Sequence, residues 1–278
     1  MKKILYFILG SLILIFTVLI YSRFIGTASL KVNEIVVNTN ILESYDGLKI
    51  VHITDLHYKK VITEERVKRL IKEVNNTKPD LVLFTGDLLD NLYEMNNSDT
   101  NFLISQLKKI EAKYGKYAIM GDQDYNQKDI VSNIFIQSEF SLLNNSSTII
   151  YNEQNDKIVL TGLGSYLEND FNIDNINIQD NSLYQIVLIH EPDMISKIKD
   201  RLPTTSLILA GHSINGSINI PGIKNALLPE GAKNYYNPYY ELDNTRIYIS
   251  NGIGVNNVNF RLFNTPSFNL YRLNKKTS

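Results

Sequence analysis

An α/β fold is what this chain predicts, with strands and helices alternating from residue 48 onward and one apolar helix ahead of them. Three observations carry the prediction. Short apolar runs alternate with stretches whose apolar residues recur at helical spacing. Five of those runs end in blocks of acidic residues and histidines. The chain also opens on an apolar stretch long enough to cross a thin bilayer.

The opening stretch follows Lys2 and Lys3. Ile4 to Tyr21 is interrupted only by Gly10, Ser11 and Thr17, and as a helix it spans roughly 27 Å. A cleaved signal is the alternative, but its apolar region is usually about 7 to 15 residues. Thr27-Ala28-Ser29 also lacks an A-x-A arrangement. Residues 1–25 are therefore read as a single uncleaved transmembrane anchor in the cell membrane. The two lysines place its N-terminus in the cytoplasm and the soluble domain on the extracytoplasmic side, against the opposing pull of Arg23 and Lys31.

Residues 26–47 read as a connector with an edge strand at Glu34-Ile35-Val36-Val37, and residues 48–278 as one domain. The first buried strand is Ile50 to Thr54. Thr63 then caps a helix with Val67, Leu70, Ile71 and Val74 on one face, which Lys78-Pro79 ends. Leu81 to Thr85 is the next strand. A helix from Thr100 to Lys113 carries Leu103, Leu107 and Ile110, with Gly115 beyond it. The strand Tyr117 to Met120 precedes a helix from Lys128 to Gln137. Ser147 to Leu163 reads as two strands around an Asn152 to Asp156 turn, and Glu168 to Asn181 as a loop. Ile186 to Ile189 and Leu207 to Ala210 are strands, followed by Ile218 to Ile220, Arg246 to Ser250 and Ser267 to Leu273. The aromatic stretch Asn234 to Tyr240 is a loop packed by its own rings, or else a rim receiving an apolar part of a substrate.

Composition removes some classes. Twenty-eight Lys and Arg against 29 Asp and Glu offer no electrostatic case for binding nucleic acid. Cysteine is absent, which excludes thiolate chemistry. What remains is the blocks: Asp55-Leu56-His57, Gly86-Asp87-Leu88-Leu89-Asp90, Gly121-Asp122-Gln123-Asp124, His190-Glu191-Pro192-Asp193 and Gly211-His212-Ser213-Ile214. Strands buried on both faces leave function to their tips. Mixed oxygen and nitrogen donors gathered there favour a divalent transition metal over calcium, hence a metal-dependent hydrolase.

In their order, these blocks resemble the calcineurin-like metallophosphoesterases, whose pattern is D-x-H, G-D-x-x-D, G-N-H-D/E, a lone H and G-H-x-H. Ile53-Thr54-Asp55-Leu56-His57 and His190-Glu191-Pro192-Asp193 look most like the membrane-tethered bacterial branch. The resemblance runs from about residue 48 to 272 and takes in Ser250 to Gly254 and Phe263 to Pro266. It implies a four-layer αββα sandwich of two mixed sheets. It also implies one or two divalent ions (Mn, Zn or Fe) per chain: Asp55, His57 and Asp87 on the first, with Asp87, Asp122, His190 and His212 on the second. Asp90, Asp124 and Asp193 would orient ligands and loops, or serve as turn and cap residues.

The sequence departs from the family at three places. Asp122 stands where the family has Asn, and a carboxylate still coordinates. Gln123 replaces the histidine that assists the reaction, and an amide delivers no proton at neutral pH. Ile214 replaces the second histidine of G-H-x-H and ligates nothing, although Asn215 beside it carries an oxygen. His52 alternates away from Asp55 and is expected to be packed or hydrogen-bonded, and Ser213 structural. Asn251 and Arg261 lie in loops that can reach a substrate. The expected activity is hydrolysis of a phosphate ester or pyrophosphate, with Asp122 and Gln123 at the reacting group and a phosphorylated small molecule or lipid-linked envelope compound as substrate. The alternative is an impaired relative that binds a phosphorylated ligand or envelope partner.

Overall fold

A computed structural model describes residues 2–174, 176, 182–214, 216–220, 222, 224–256 and 258–276. The elements in order are α1 (Lys2–Ile20), β1 (Lys31–Thr39), β2 (Leu48–Ile53), α2 (Glu64–Asn76), β3 (Leu81–Thr85), α3 (Asn97–Leu107), β4 (Lys116–Ile119), α4 (Lys128–Gln137) and β5 (Phe140–Leu142). There follow β6 (Ser146–Tyr151), β7 (Lys157–Gly162), β8 (Tyr184–Ile189), α5 (Ile195–Ile198), β9 (Leu207–Ala210), β10 (Tyr239–Leu242), β11 (Thr245–Ile249) and β12 (Ser267–Lys275).

The strands form two six-stranded mixed sheets, ordered β1-β12-β2-β3-β4-β5 and β10-β11-β9-β8-β7-β6. Alternation along the buried strands explains the layering. Ile50, Leu81, Leu83 and Ile119 of the first sheet face Ile158, Leu160, Ile186, Leu188 and Leu209 of the second, making the inter-sheet core. Val51, Ile53, Val82 and Phe84 point the other way, onto Val67, Leu70, Leu103, Val131 and Phe135 of α2, α3 and α4. On the far face of the second sheet, Val187, Ile189, Ile208 and Ile247 meet Met194, Ile195 and Ile198. This is the αββα arrangement with a thin fourth layer, in which α5 is only four residues long.

Several elements differ from the sequence expectation. Helix α3 begins three residues earlier, because Asn96 and Asp99 form a capping box, and it ends at Leu107 rather than Lys113. Ile218 forms only an isolated bridge to Leu262, so the expected strand at Ile218 to Ile220 is absent among the described residues. The segment Glu34 to Val37 belongs to nine-residue β1, which pairs in parallel with β12 at the sheet edge. Tyr235 and Tyr240 pack edge to face at 5.2 Å, on the outer side of the second sheet. That supports the packed-loop reading of the aromatic stretch.

None of α1 is buried, and it runs without a break into a π-helical turn at Tyr21–Gly26. The 25-residue helix Lys2–Gly26 is a candidate membrane span by length and composition.

Candidate metal centre

The centre lies at the carboxyl ends of five parallel strands. In the first sheet β2, β3 and β4 are neighbours, and in the second β8 and β9 are neighbours. Asp55 and His57 follow β2, Asp87 follows β3, Asp122 follows β4, His190 follows β8 and His212 follows β9. The chain turns sharply at three of these tips, those of β2, β3 and β9: Asp55, His57, Asp87, His212 and Ile214 all have φ between 41° and 63°. Left-handed backbone is costly for side chains other than Gly and Asn, so such strain gathers where a precise side-chain position is needed. Glycines allow the loops to close in. A Cβ on Gly121 would sit 2.2 Å from Asp87 Oδ1, and one on Gly86 would sit 2.3 Å from the Gly121 nitrogen.

These side chains fall into two buried clusters that share one residue. Asp55, His57 and Asp87 form one, and Asp87, Asp122, His190 and His212 the other, with ligand atoms of each within 4.8 Å of one another. His190 Nε2 is 3.2 Å from both Asp87 Oδ2 and Asp122 Oδ1, and His212 Nδ1 is 3.0 Å from Asp122 Oδ1. His57 Nε2 stands 3.5 Å from Asp87 Oδ2 and 3.7 Å from Asp55 Oδ1.

One pattern tests whether these residues suit a cation. Each carboxylate has one oxygen tied down and the other left free. Asp55 Oδ2 accepts from the His212 amide and the Thr54 hydroxyl. Asp87 Oδ1 accepts from the Gln123 amide, and Asp122 Oδ2 from the Gln123 side chain. Asp55 Oδ1, Asp87 Oδ2 and Asp122 Oδ1 are buried without any hydrogen bond, as is His57 Nε2. Buried polar atoms without partners are rare and costly. The imidazoles are oriented to match. His190 Nδ1 lies 2.6 Å from the Thr85 carbonyl and His212 Nε2 2.6 Å from the Glu230 carbonyl. A carbonyl only accepts, so those nitrogens carry hydrogen, and His190 Nε2 and His212 Nδ1 face each other at 3.3 Å. A metal-binding histidine is oriented in this way by its other nitrogen. The donor set fits divalent cations in both clusters.

The electrostatics agree. Burial alone would lower His212, but Asp122 beside it pushes it up to about 9. Burial would likewise lower His190, and Asp87 and Asp122 override it to hold it well above the ordinary histidine range. Asp122, which burial would raise, is driven far below the usual carboxylate range by His190 and His212. Without a cation the cluster gathers protons, and a divalent ion displaces them.

The surrounding residues sort themselves by contact. Asp124 is fully buried and accepts three backbone amides, those of Asp87 (2.9 Å), Leu89 (3.0 Å) and Gly121 (3.0 Å). It ties the tip of β3 to the tip of β4. Asp90 accepts from Lys60 at 2.7 Å and lies 3.6 Å from His57 Nδ1. Asp193 belongs to neither cluster and holds the amides of Lys233, Asn234 and Tyr235. His52 is buried on Thr85 Oγ1 at 2.7 Å, away from the clusters, and Ser213 is buried in its turn.

Of the expectations for Gln123, Arg261 and Ile214, only that for Arg261 needs correction. The Gln123 amide donates to Asp122, so its side chain is already engaged within the centre. Arg261 is buried, with its guanidinium on the carbonyls of Gly252, Gly254 and Ile214, so it supports loops and does not reach out to a substrate. Ile214 is itself buried and adds no donor beside Asp55, while Asn215 lies outside the described residues. Sequence reasoning missed Glu191, which is fully buried and accepts from Ser165, tying the β8 tip to the loop after β7. Its place beside His190 in the fourth block was the available signal.

The calcineurin-like phosphoesterase family matches residues 48–250, from β2 through the end of β11. The chain belongs to that family. It is 26% identical to the uncharacterized metallophosphoesterase YkuE of Bacillus subtilis, over 91% of this chain and 88% of that one. It is also 26% identical to YkoQ of the same organism, over 95% and 99%. A third relative is the UDP-2,3-diacylglucosamine pyrophosphatase LpxG of Chlamydia muridarum, 25% identical over 75% of this chain and 78% of that one.

Proposed function

We propose that this metallophosphoesterase hydrolyses a phosphate ester or pyrophosphate linkage in a membrane or cell-envelope substrate. The observation that carries the proposal is the set of free carboxylate oxygens, one per aspartate, turned into a shared buried centre. Asp55, His57 and Asp87 would hold one divalent ion, and Asp87, Asp122, His190 and His212 the other. Two such ions, manganese, zinc or iron, lower the pKa of bound water and polarise the phosphoryl oxygens.

The chain's own residues do the rest. Asp124 fixes the backbone of Asp87, while Gln123 fixes Asp87 Oδ1 through its backbone N–H and Asp122 Oδ2 through its side-chain amide. Gln123 has one side-chain N–H left to donate to a phosphoryl oxygen. It cannot protonate a leaving group, so general-acid help of roughly 10²–10⁴-fold is missing. Good leaving groups are favoured as a result, which points to anhydrides such as a nucleotide-diphosphate linkage. The LpxG relative, named as a pyrophosphatase of an acylated sugar nucleotide, supports that class. In this reading residues 1–25 are a single-pass anchor, residues 26–47 the connector and edge strand, and residues 48–278 the enzyme, on the extracytoplasmic side.

A second reading, a binder of phosphorylated ligands, is favoured by one observation: among the described residues the first cluster has three donors, with Ile214 at the position where the family pattern has a fourth. The test is metal content and hydrolysis of aryl phosphate mono- and diesters and of a UDP-linked pyrophosphate by the detergent-solubilised full chain. Two ions and turnover establish the enzyme. Turnover only in a Gln123→His, Ile214→His double variant makes the native chain a binder, and turnover in neither removes the phosphoesterase reading.

A further inference from the structure

The π-helical turn that ends the apolar helix does not release the chain into a free tether. The Arg261 amide donates to the Ser22 carbonyl at 3.0 Å, and Arg66 Nη1 donates to the Thr27 carbonyl at 3.1 Å. Gly26 packs so closely that a Cβ there would lie 2.2 Å from the Arg261 carbonyl oxygen. Ser22 and Thr27 are buried by this joint. Helix and loop 261–265 are therefore packed directly against each other.

Between them runs a groove of about 660 Å³, lined by Thr17, Val18 and Tyr21 on the helix and by Leu262, Phe263 and Thr265 on the loop, with no carboxylate on its walls. Phe263 is 75% exposed at the tip of the loop. Its φ of 56° is unusual for a bulky residue, so a strained backbone position carries this exposed ring. Phe24 and Ile25, more than half exposed, extend the apolar surface, and Arg23 lies 5.4 Å from the Phe24 ring centre.

We propose that the Leu262–Thr265 loop enters the lipid interface, with Phe263 as its wedge, so that the domain is seated on the bilayer and not merely tethered to it. The proposal rests on α1 being the membrane anchor. Thr17 lies about 6 Å of helix rise below Tyr21, and both belong to the apolar run from Ile4 to Tyr21. A loop flanking Thr17 and Val18 is therefore level with the last turn of the spanning segment. Aromatic and apolar side chains beside an arginine, with no acidic group, match the chemistry of that interface. The loop surface is continuous with the unburied face of α1, which makes lipid the occupant in preference to a second protein. The contact also reaches the metal centre. Arg261 in the same loop holds the Gly254 carbonyl, and the Gly254 amide donates to the Asp55 carbonyl at 2.6 Å.

The chain has no tryptophan, so one introduced at a time reports its own surroundings. Phe263→Trp, Tyr151→Trp and Phe16→Trp full-length chains would be reconstituted in phosphatidylcholine–phosphatidylglycerol vesicles, with quenching by brominated lipid and by aqueous iodide. Tyr151 is exposed at the end of the second sheet opposite the metal centre, and Phe16 lies in α1. The expected result is several-fold stronger lipid quenching at 263 than at 151, with iodide showing the reverse. Iodide quenching at 263 equal to that at 151 overturns the proposal, and so does shielding of 263 from both quenchers, which would mean a protein partner. Absence of lipid quenching at 16 removes the anchor and the proposal with it. None of these readings depends on turnover, so they are independent of the hydrolytic assignment.

Discussion

Replacing Asp124 with Asn tests how the centre is built. The substitution keeps the shape of the side chain and removes one acceptor. Oδ2 of Asp124 takes the amides of Asp87 and Gly121, and Oδ1 takes that of Leu89. An amide oxygen can replace only one of these, so it keeps the pair and turns its NH₂ toward Leu89. A buried amide left facing a donor costs about 1–3 kcal/mol, and exchanging charged acceptors for a neutral one weakens the other two bonds. One term works the other way. Burial and the nearby Asp87 raise Asp124 to about 7, so its charge is poorly tolerated and losing it recovers part of the cost. The balance is a loss on the order of 2–3 kcal/mol, or roughly 4–12 °C in Tm for a domain of this size. Because Asp124 positions the backbone of Asp87, metal affinity should fall by about 10–100-fold. The assay is thermal unfolding with and without manganese, alongside a metal titration. A Tm within experimental error of wild type and unchanged affinity would refute the account of Asp124 as the tie between the β3 and β4 tips.

Two further predictions follow from neighbouring residues. Ile214→His should raise metal retained after dialysis, because it places a donor beside Asp55 and relieves a β-branched residue at φ 41°; unchanged stoichiometry would mean the side chain does not reach the first cluster. His52 concerns acid stability: burial pushes it down to about 3, against the opposing influence of Asp55. Its unfolded value is near 6.5, so the unfolded chain binds the extra proton, and stability present above pH 6.5 is lost as pH falls toward 3. The slope reaches about 1.4 kcal/mol per unit only below the unfolded value, at which the unfolded histidine is half protonated, so going from pH 6.5 to 4.5 costs about 2.3 kcal/mol. In chelator, denaturant titrations of His52→Gln should lose less stability over that interval than wild type by about this amount, and parallel curves would contradict the assignment.

Much of this protein was legible in its sequence because local rules act strongly here. The runs at Leu81 to Thr85 and Leu207 to Ala210 became strands at those bounds, since a short apolar run between polar breaks has few alternatives. The face of Val67, Leu70, Ile71 and Val74 is the buried face of α2. Asp55, His57, Asp87, Asp122, His190 and His212 were each visible as polar residues at strand tips. Periodicity along one chain does not say which strands become neighbours. Only the tertiary structure set β8 and β9 of one sheet against β2, β3 and β4 of the other, which brings residues 55 and 212 together across the interface between the sheets. It also decided which oxygen of each aspartate is tied and which is free, because the tying amides come from other loops. Arg261 shows the same limit: as a loop arginine it suggested substrate contact, and packing buried it under three carbonyls beside the end of the apolar helix.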